Sequence, residues 1–420
     1  MRCRPFEAIK PITVMKTKDS FIALALLAIA TLNQPFATVH AQGALTPTGA
    51  PAPTMKTLQQ VEPRTPISSL PYTITSGGSY YLTGNLTTGS SNGIVVAASG
   101  VTLDLNGYTI YSTAIFAQGG GSAILLSSSI TDVSIQNGHI FSGVTHTGLG
   151  YSGSGFGYGI EGGGADITVR NVSVSGCLYD GITVGTNVYS TALVESCQVT
   201  TVGHIGINAS LIKNSAALDT GLEGLYCNRV SDSVGESTGF GNGIEAFTAN
   251  NCYGVSSSGY GLYLVSAQNC VGNSTSGTGL TADTAENCEG TSSSSIGLTA
   301  YTAENCRGAS GGNGSYGIIA SYSALNCYGS TSGNGYGISA SVAQNCRGES
   351  YASGYGIYAD IATGCYGYCQ NVDGIGIHAA NASYSVGNNH GGGTALQSTL
   401  ASGCVNIAGT TSATYKYNMP

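Results

Sequence analysis

From about residue 68 onward the chain alternates between apolar and polar positions in short bursts. In residues 279–288 (GLTADTAENC), Leu280 and Ala282 point one way and Thr281 the other; Ala285 and Cys288 rejoin the first set across Asn287. Such period-two segments are too short for a helix and end in turn residues, so they predict short β-strands. A template recurs: Gly-Ile/Leu-x-Ala, two or three residues, Ala-x-Asn-Cys-x-Gly, then a connector rich in Ser, Thr and Gly. The position held by Cys falls at Cys197, Ser215, Ser233, Cys252, Cys270, Cys288, Cys306, Cys327, Cys346, Cys365, Ser385 and Cys404, at spacings of 18 to 21 residues.

One strand-and-turn circuit per repeat predicts an all-β fold, a parallel β-solenoid. Paired helices need longer repeats and far less Gly. The Asn before each Cys (Asn251, Asn269, Asn287, Asn305, Asn326, Asn345) suits a left-handed turn conformation that few residues tolerate. Stacked on successive rungs, these Asn side chains are expected to hydrogen-bond along the axis. Upstream, Gly-Ile pairs at 93–94, 159–160, 181–182 and 206–207 continue the pattern with longer circuits, and residues 143–159 read as a loop thrown out from one rung. With strands ~4.8 Å apart, the twelve registered rungs make a rod ~53 Å long.

Composition removes the main competitors. Gly is 64 but Pro only 10, which excludes collagen, and 41% hydrophobic with 8% charged residues excludes a disordered chain. The net charge of −8 argues against nucleic-acid binding. Residues 21–32 (FIALALLAIATL) are too short an apolar run to span a bilayer; Lys16 and Lys18 precede them and Val39-His40-Ala41 offers a cleavage site. Residues 1–41 therefore read as an export signal. Removing them takes five of 13 basic and two of 21 acidic residues and leaves a net −11. Residues 42–70 read as a Pro-rich linker, 71–410 as the solenoid and 411–420 as a C-terminal tail. The expectation is a secreted or periplasmic monomer with no membrane span in the mature chain.

Residues 71–86 (PYTITSGGSYYLTGNL) and 100–110 (GVTLDLNGYTI), followed by the Asn-turn rungs, resemble the secreted right-handed parallel β-helix proteins of the pectate-lyase-like superfamily. The resemblance covers roughly residues 68–410. It implies the right-handed sense and an extracellular polysaccharide as partner; it does not fix the activity, because the scaffold hosts lyases, hydrolases, epimerases, tailspikes and adhesins.

The 13 Cys suggest disulfides in an exported chain, but the repeat argues otherwise. Residues after each Cys are mixed and often polar or large, so the Cys faces inward. Neighbouring Cβ atoms ~4.8 Å apart exceed the ~3.5–4.5 Å a disulfide prefers. A ladder of free thiols is expected, each acting as a small hydrophobe that Ser replaces at three positions. Cys177, Cys227 and Cys369 fall outside that register. Cys365 and Cys369 have ligand-like spacing without a second Cys/His pair, so no metal site is expected.

Two outward columns carry the candidate chemistry. One is the residue before each Gly-Ile/Leu, the other the residue after it. Together they hold an acidic zone of Glu161, Asp180, Glu223 and Glu245 with His204 beside it, and a tyrosine zone of Tyr260, Tyr263, Tyr316, Tyr336, Tyr355 and Tyr358. Asp180 and Glu223, two rungs apart at ~9.6 Å, approach the ~6.5–9.5 Å carboxylate spacing of inverting glycosidases. The candidate catalytic set is Asp180, His204, Glu223 and Glu245. The resemblance tempers this: polygalacturonase-like members carry a tight Asp cluster, Gly-His-Gly and Arg-Ile-Lys, where this chain has Gly203-His204-Ile205 and Leu211-Ile212-Lys213. A lyase needs a base, for which Lys213 and Arg229 are expected to lie near the acidic zone, and often Ca²⁺ held by several carboxylates. No Asp-rich cluster is visible, so no cofactor is expected and Ca²⁺ enters only under a lyase reading. The six tyrosines are the candidate sugar-stacking residues on a polysaccharide or cell-surface glycan. The alternative function is a non-catalytic structural or adhesive rod, for which tyrosines stacking on one another suffice.

Overall fold

A computed structural model describes residues 62–89, 92–114, 120–148, 150–185 and 191–419. The export signal and linker residues 42–61 lie outside them. Among the described residues there is no helix; 37 strands pair in parallel into one continuous ladder that coils as a β-solenoid of about 18 turns. The solenoid reaches further at both ends than residues 71–410. Strand Thr65–Ile67 pairs with Gly78–Leu82, and Thr410–Tyr417 pairs with Thr394–Ser402.

A repeating rung follows the alternation read from the chain. In strand Leu280–Glu286, Leu280, Ala282 and Ala285 are buried while Asp283 and Thr284 both face out, and this pair of outward residues bends the strand around a corner. Asn287 then takes a left-handed φ of 54° and aims Cys288 back into the core. The left-handed residue recurs at Ser196, Asn214, Asp232, the six Asn, Gly364, Tyr384 and Gly403. The expected Asn ladder is present in pieces: Asn326 donates to Asn305 (3.2 Å) and Asn345 to Asn326 (3.3 Å).

All twelve described cysteines are buried and unpaired. The column is held by more than hydrophobicity. The thiols of Cys252, Cys270, Cys288, Cys306, Cys327 and Cys346 each donate to the carbonyl two residues earlier, at 3.1 to 3.2 Å. Ser215, Ser233 and Ser385 make the same bond at 2.7, 2.6 and 2.9 Å. Ser replaces Cys there because both are small donors that satisfy one turn carbonyl. A second interior column serves the opposite corner: Ser256, Ser274, Ser292 and Ser310 donate to carbonyls 15 residues earlier at 2.6 to 2.7 Å. Cys369 belongs to that column and Cys227 to the alanine column, between Ala209 and Ala246, which is why neither fits the thiol register. Burial pushes the Cys177 and Cys227 thiols up to about 12, so they stay protonated.

The section narrows along the rod. Early circuits bury Ile94, Leu103, Ile135 and Phe156; later ones bury chiefly Ala, Cys and Ser around one Ile or Leu. In the narrow part the glycine of Cys-x-Gly lies against the glycine before Ile/Leu. A Cβ on Gly254 would overlap the Gly261 carbonyl, and the same holds for Gly272 against Gly279 and Gly290 against Gly297.

Two outcomes are expected. Gly254→Ala should lower unfolding free energy by ~1–3 kcal/mol through overpacking, whereas Gly84→Ala, where a Cβ meets open space, should leave it nearly unchanged; urea denaturation of both distinguishes them. Titration with a thiol reagent should find the unreduced protein almost unreactive when native and nearly fully reactive once denatured. A majority of blocked thiols would overturn the ladder.

Candidate functional site

The outward columns are physical neighbours. Gly181, Gly206, Gly224 and Gly243 donate their N–H groups to the carbonyls of Ile205, Glu223, Asn242 and Tyr260, stacking the first column rung by rung. Glu161, Thr183, Asn208, Tyr226, Glu245 and Tyr263 pair in turn as the second. Both columns lie on one sheet face, so the acidic residues form a strip about four rungs long.

Their surroundings differ. Asp180 accepts hydrogen bonds from the Thr183 hydroxyl (2.9 Å) and the Ile205 N–H (3.1 Å), with His204 Nδ1 3.9 Å from the same carboxylate. The His204 ring leans on Tyr179 at 4.9 Å. Glu161 is held by Ser122 (2.6 Å) and Glu245 by Asn242 (2.8 Å). Glu223 is the outlier. Burial pushes its pKa up, a hydrogen bond from its own N–H opposes this, and the charges of Glu245 and Asp180 push it further up. A half-buried carboxyl with a raised pKa therefore stands two rungs from one that accepts two hydrogen bonds, so the two carboxyls have unlike surroundings.

Beside this strip lies a surface trough of about 370 Å³ lined by Tyr226, Glu245, Phe247, Tyr263, Val265 and Asp283. Tyr226 and Phe247 are 44% and 61% exposed, and Tyr263 stacks on Tyr260 at 5.2 Å. The tyrosine zone thus divides. Tyr260 and Tyr263 belong with the carboxylates. The remaining four form their own column, Tyr316 edge-on to Tyr336 (4.9 Å), Tyr336 stacked on Tyr355 (4.6 Å) and Tyr358 stacked on His378 (5.1 Å), so their rings cover one another. Phe247 follows inward Ala246 and faces out together with Thr248 at the corner, one position beyond the two columns read from the sequence. An aromatic or Val two residues after the Ile/Leu-x position, as at Phe247, Val265 and Tyr301, is the signal that finds it.

A second cluster comes from outside the repeat. The loop at 143–159 carries the antiparallel pair Thr145–Thr147 and Gly150–Ser152. His146 Nδ1 lies 2.6 Å from Asp219, whose carboxylate also accepts the Tyr151 hydroxyl at 2.8 Å, and Thr238 is 2.7 Å from that hydroxyl. Burial opposes ionisation of Asp219, but hydrogen bonds from Tyr151, Thr201 and His146 hold its pKa below the usual range. The Tyr151 side chain lies over Gly203 and Gly221, its ring against the latter. The cluster pins the loop against the rungs of Gly203, Asp219 and Thr238, next to the segment that carries His204.

Lys213 and Arg229 do not belong to the acidic zone. They follow the corner residues Ser210 and Asn228, on the next limb of their strands, so the base required by a lyase is not supplied from there. Among the described residues, no group of three or more His, Cys, Asp or Glu is arranged to hold a metal ion.

Fold and face together define a β-solenoid repeat protein with an acidic, aromatic-lined strip on one outward face. No protein-family model matches the chain, and no curated protein or solved structure matches it.

Because the raised pKa of Glu223 penalises its ionised form, stability should fall as pH rises through its folded value. Glu223→Gln should therefore be more stable than the parent at pH 7 and no more stable at pH 3, measured by urea denaturation. Glu245→Gln should move the Glu223 titration downward, followed by carboxyl carbon NMR. An unmoved titration would mean the two charges do not communicate.

Proposed function

We propose that this chain is an exported, pectate-lyase-like β-solenoid that binds an extracellular polysaccharide along the acidic strip and hydrolyses it there. The observation that carries the reading is the pair of outward carboxylates two rungs apart, Glu223 with its pKa raised by burial and Asp180 held by Thr183 and the Ile205 N–H, beside a trough lined by exposed Tyr226, Phe247 and Tyr263. Aromatic faces take sugar rings, and the neighbouring Asn242, Thr183 and Asn208 supply polar groups for hydroxyls. In this reading Glu223 protonates the glycosidic oxygen as its bond breaks. Asp180, two rungs away, takes a proton from the water that attacks the anomeric carbon from the opposite side, giving inversion. His204 positions the Asp180 carboxylate.

A second reading, a non-catalytic surface rod, is favoured by the self-stacked column of Tyr316, Tyr336, Tyr355 and Tyr358, which stabilises the sheet with no ligand.

The test is incubation of the purified mature chain with a broad panel of polysaccharides, with and without Ca²⁺, following new reducing ends and the ultraviolet absorbance of unsaturated uronates. Reducing ends without absorbance are expected, abolished by Glu223→Gln and by Asp180→Asn. Tyr226→Ala with Tyr263→Ala should weaken binding roughly tenfold. Absorbance rising with the reducing ends would make the reaction an elimination. Silence on every substrate with no binding would leave the rod.

A further inference from the structure

A trough of about 770 Å³ lies on the limb beyond the corner at Ser210 and Asn228. Leu193 and Leu211 are its outward apolar side chains, and two cations project there: Lys213 from strand Ile207–Lys213 and Arg229 from strand Leu225–Ser231. The strands are adjacent, with Leu211 opposite Arg229 and Lys213 opposite Ser231, so the two charges are diagonal neighbours. Diagonal positions lie ~7–8 Å apart, and like charges so placed repel.

Every other described cation has a partner. Arg64 pairs with Glu62, Arg170 with Glu195, Arg307 with Glu289 and Arg347 with Glu349, while Lys416 donates to the Thr411 carbonyl. Among the described lysines and arginines, only the side chains of Lys213 and Arg229 have neither an ion pair nor a hydrogen bond. The carboxylates nearest them in the ladder are engaged elsewhere: Glu195, opposite Lys213, binds Arg170 at 2.8 Å, and Asp232 accepts from Asn251 at 2.7 Å. In a chain of net charge −8, two unpartnered cations side by side over an apolar floor are out of keeping with the rest of the surface.

We infer that this trough is a binding site for an organic anion that joins an apolar body to a single carboxylate or sulfate group. Lys213 and Arg229 take the anionic group through charge-assisted hydrogen bonds, which relieves their mutual repulsion, and Leu193 and Leu211 cover the body. The volume is that of a small-molecule site, ~300–1,000 Å³. The acidic net charge selects against polyanions, whose further charges would meet a repelling surface. The inference is independent of hydrolysis on the acidic strip, because the corner separates the two limbs and only Asn228 lines both troughs.

The probe is anilinonaphthalene sulfonate, titrated by fluorescence into the mature chain, with neutral phenylnaphthylamine as the same aromatic body without charge. The anion should bind at one site per chain, more tightly than the neutral body and more weakly in high salt. The double variant Lys213→Gln with Arg229→Gln should lose at least about tenfold in affinity for the anion and nothing for the neutral body. Both side chains project outward, and circular dichroism checks that the variant is folded. Arg307→Gln, on another part of the rod, should bind as the parent does. Equal binding of the two probes by the parent, unchanged binding by the double variant, or no saturable binding of the anion would each overturn the inference.

Discussion

Contact between glycines across the interior sets the cross-section of this rod. Gly254, Gly272 and Gly290 lie so close to the glycines preceding the next Ile or Leu that no side chain fits between the walls. The remaining inward slots then hold chiefly Ala, Cys or Ser, with an Ile or Leu in each circuit filling the wider end. Small interior residues cannot contribute much apolar burial each. Order comes instead from repetition: parallel ladders on every rung, and side-chain donors that satisfy the corner carbonyls from within. Rung-by-rung pairing, which holds even where a circuit is longer, keeps the outward columns straight and brings Asp180, Glu223 and Glu245 together from 65 positions of sequence.

The strip and the second trough illustrate how one strand serves two surfaces. In strand Leu225–Ser231, Tyr226 faces the acidic limb and Arg229 the basic one, with Asn228 at the bend between them. The charge of the surface thus changes sign within three residues. The sheet is stiff on both sides of the bend, so each limb presents its groups at fixed spacing, a condition for positioning ligand groups without reorganisation.

The fold was legible because each rung repeats the same contacts, and the repetition survives in the sequence as Gly-Ile and Asn-Cys at near-constant spacing. The left-handed turns could be located from Asn alone, and even Tyr384 and Gly403 follow once the phase is known. The column memberships were legible for the same reason. Other features depend on what periodicity does not encode. The corner breaks the alternation one residue after Phe247, so the bend of the strand is hidden, and Lys213 and Arg229 stand on the next limb rather than in the acidic zone. Ring orientation is set by packing, so a rank of tyrosines could be read without seeing that four of them cover one another. The Asp219, His146 and Tyr151 cluster joins a loop to a rung 73 residues away and has no counterpart in the repeat. The equivalence of Cys and Ser was visible, but its cause, a donor shared by thiol and hydroxyl, required the carbonyl two residues earlier to be seen.

The ladder of rungs makes distance along the face discontinuous. A group can be moved relative to another on the same column only by whole circuits, in increments of ~4.8 Å, since a shift by one residue turns its side chain inward. Insertion or loss of a complete circuit would lengthen or shorten the rod by one such increment and leave every other section intact. Finer adjustment falls to rotamers and to the choice between Asp and Glu, whose lengths differ by one methylene. The separation between Asp180 and Glu223 is therefore graduated like a ruler, and any partner that bridges them is matched by its repeat length before it is matched by its chemistry.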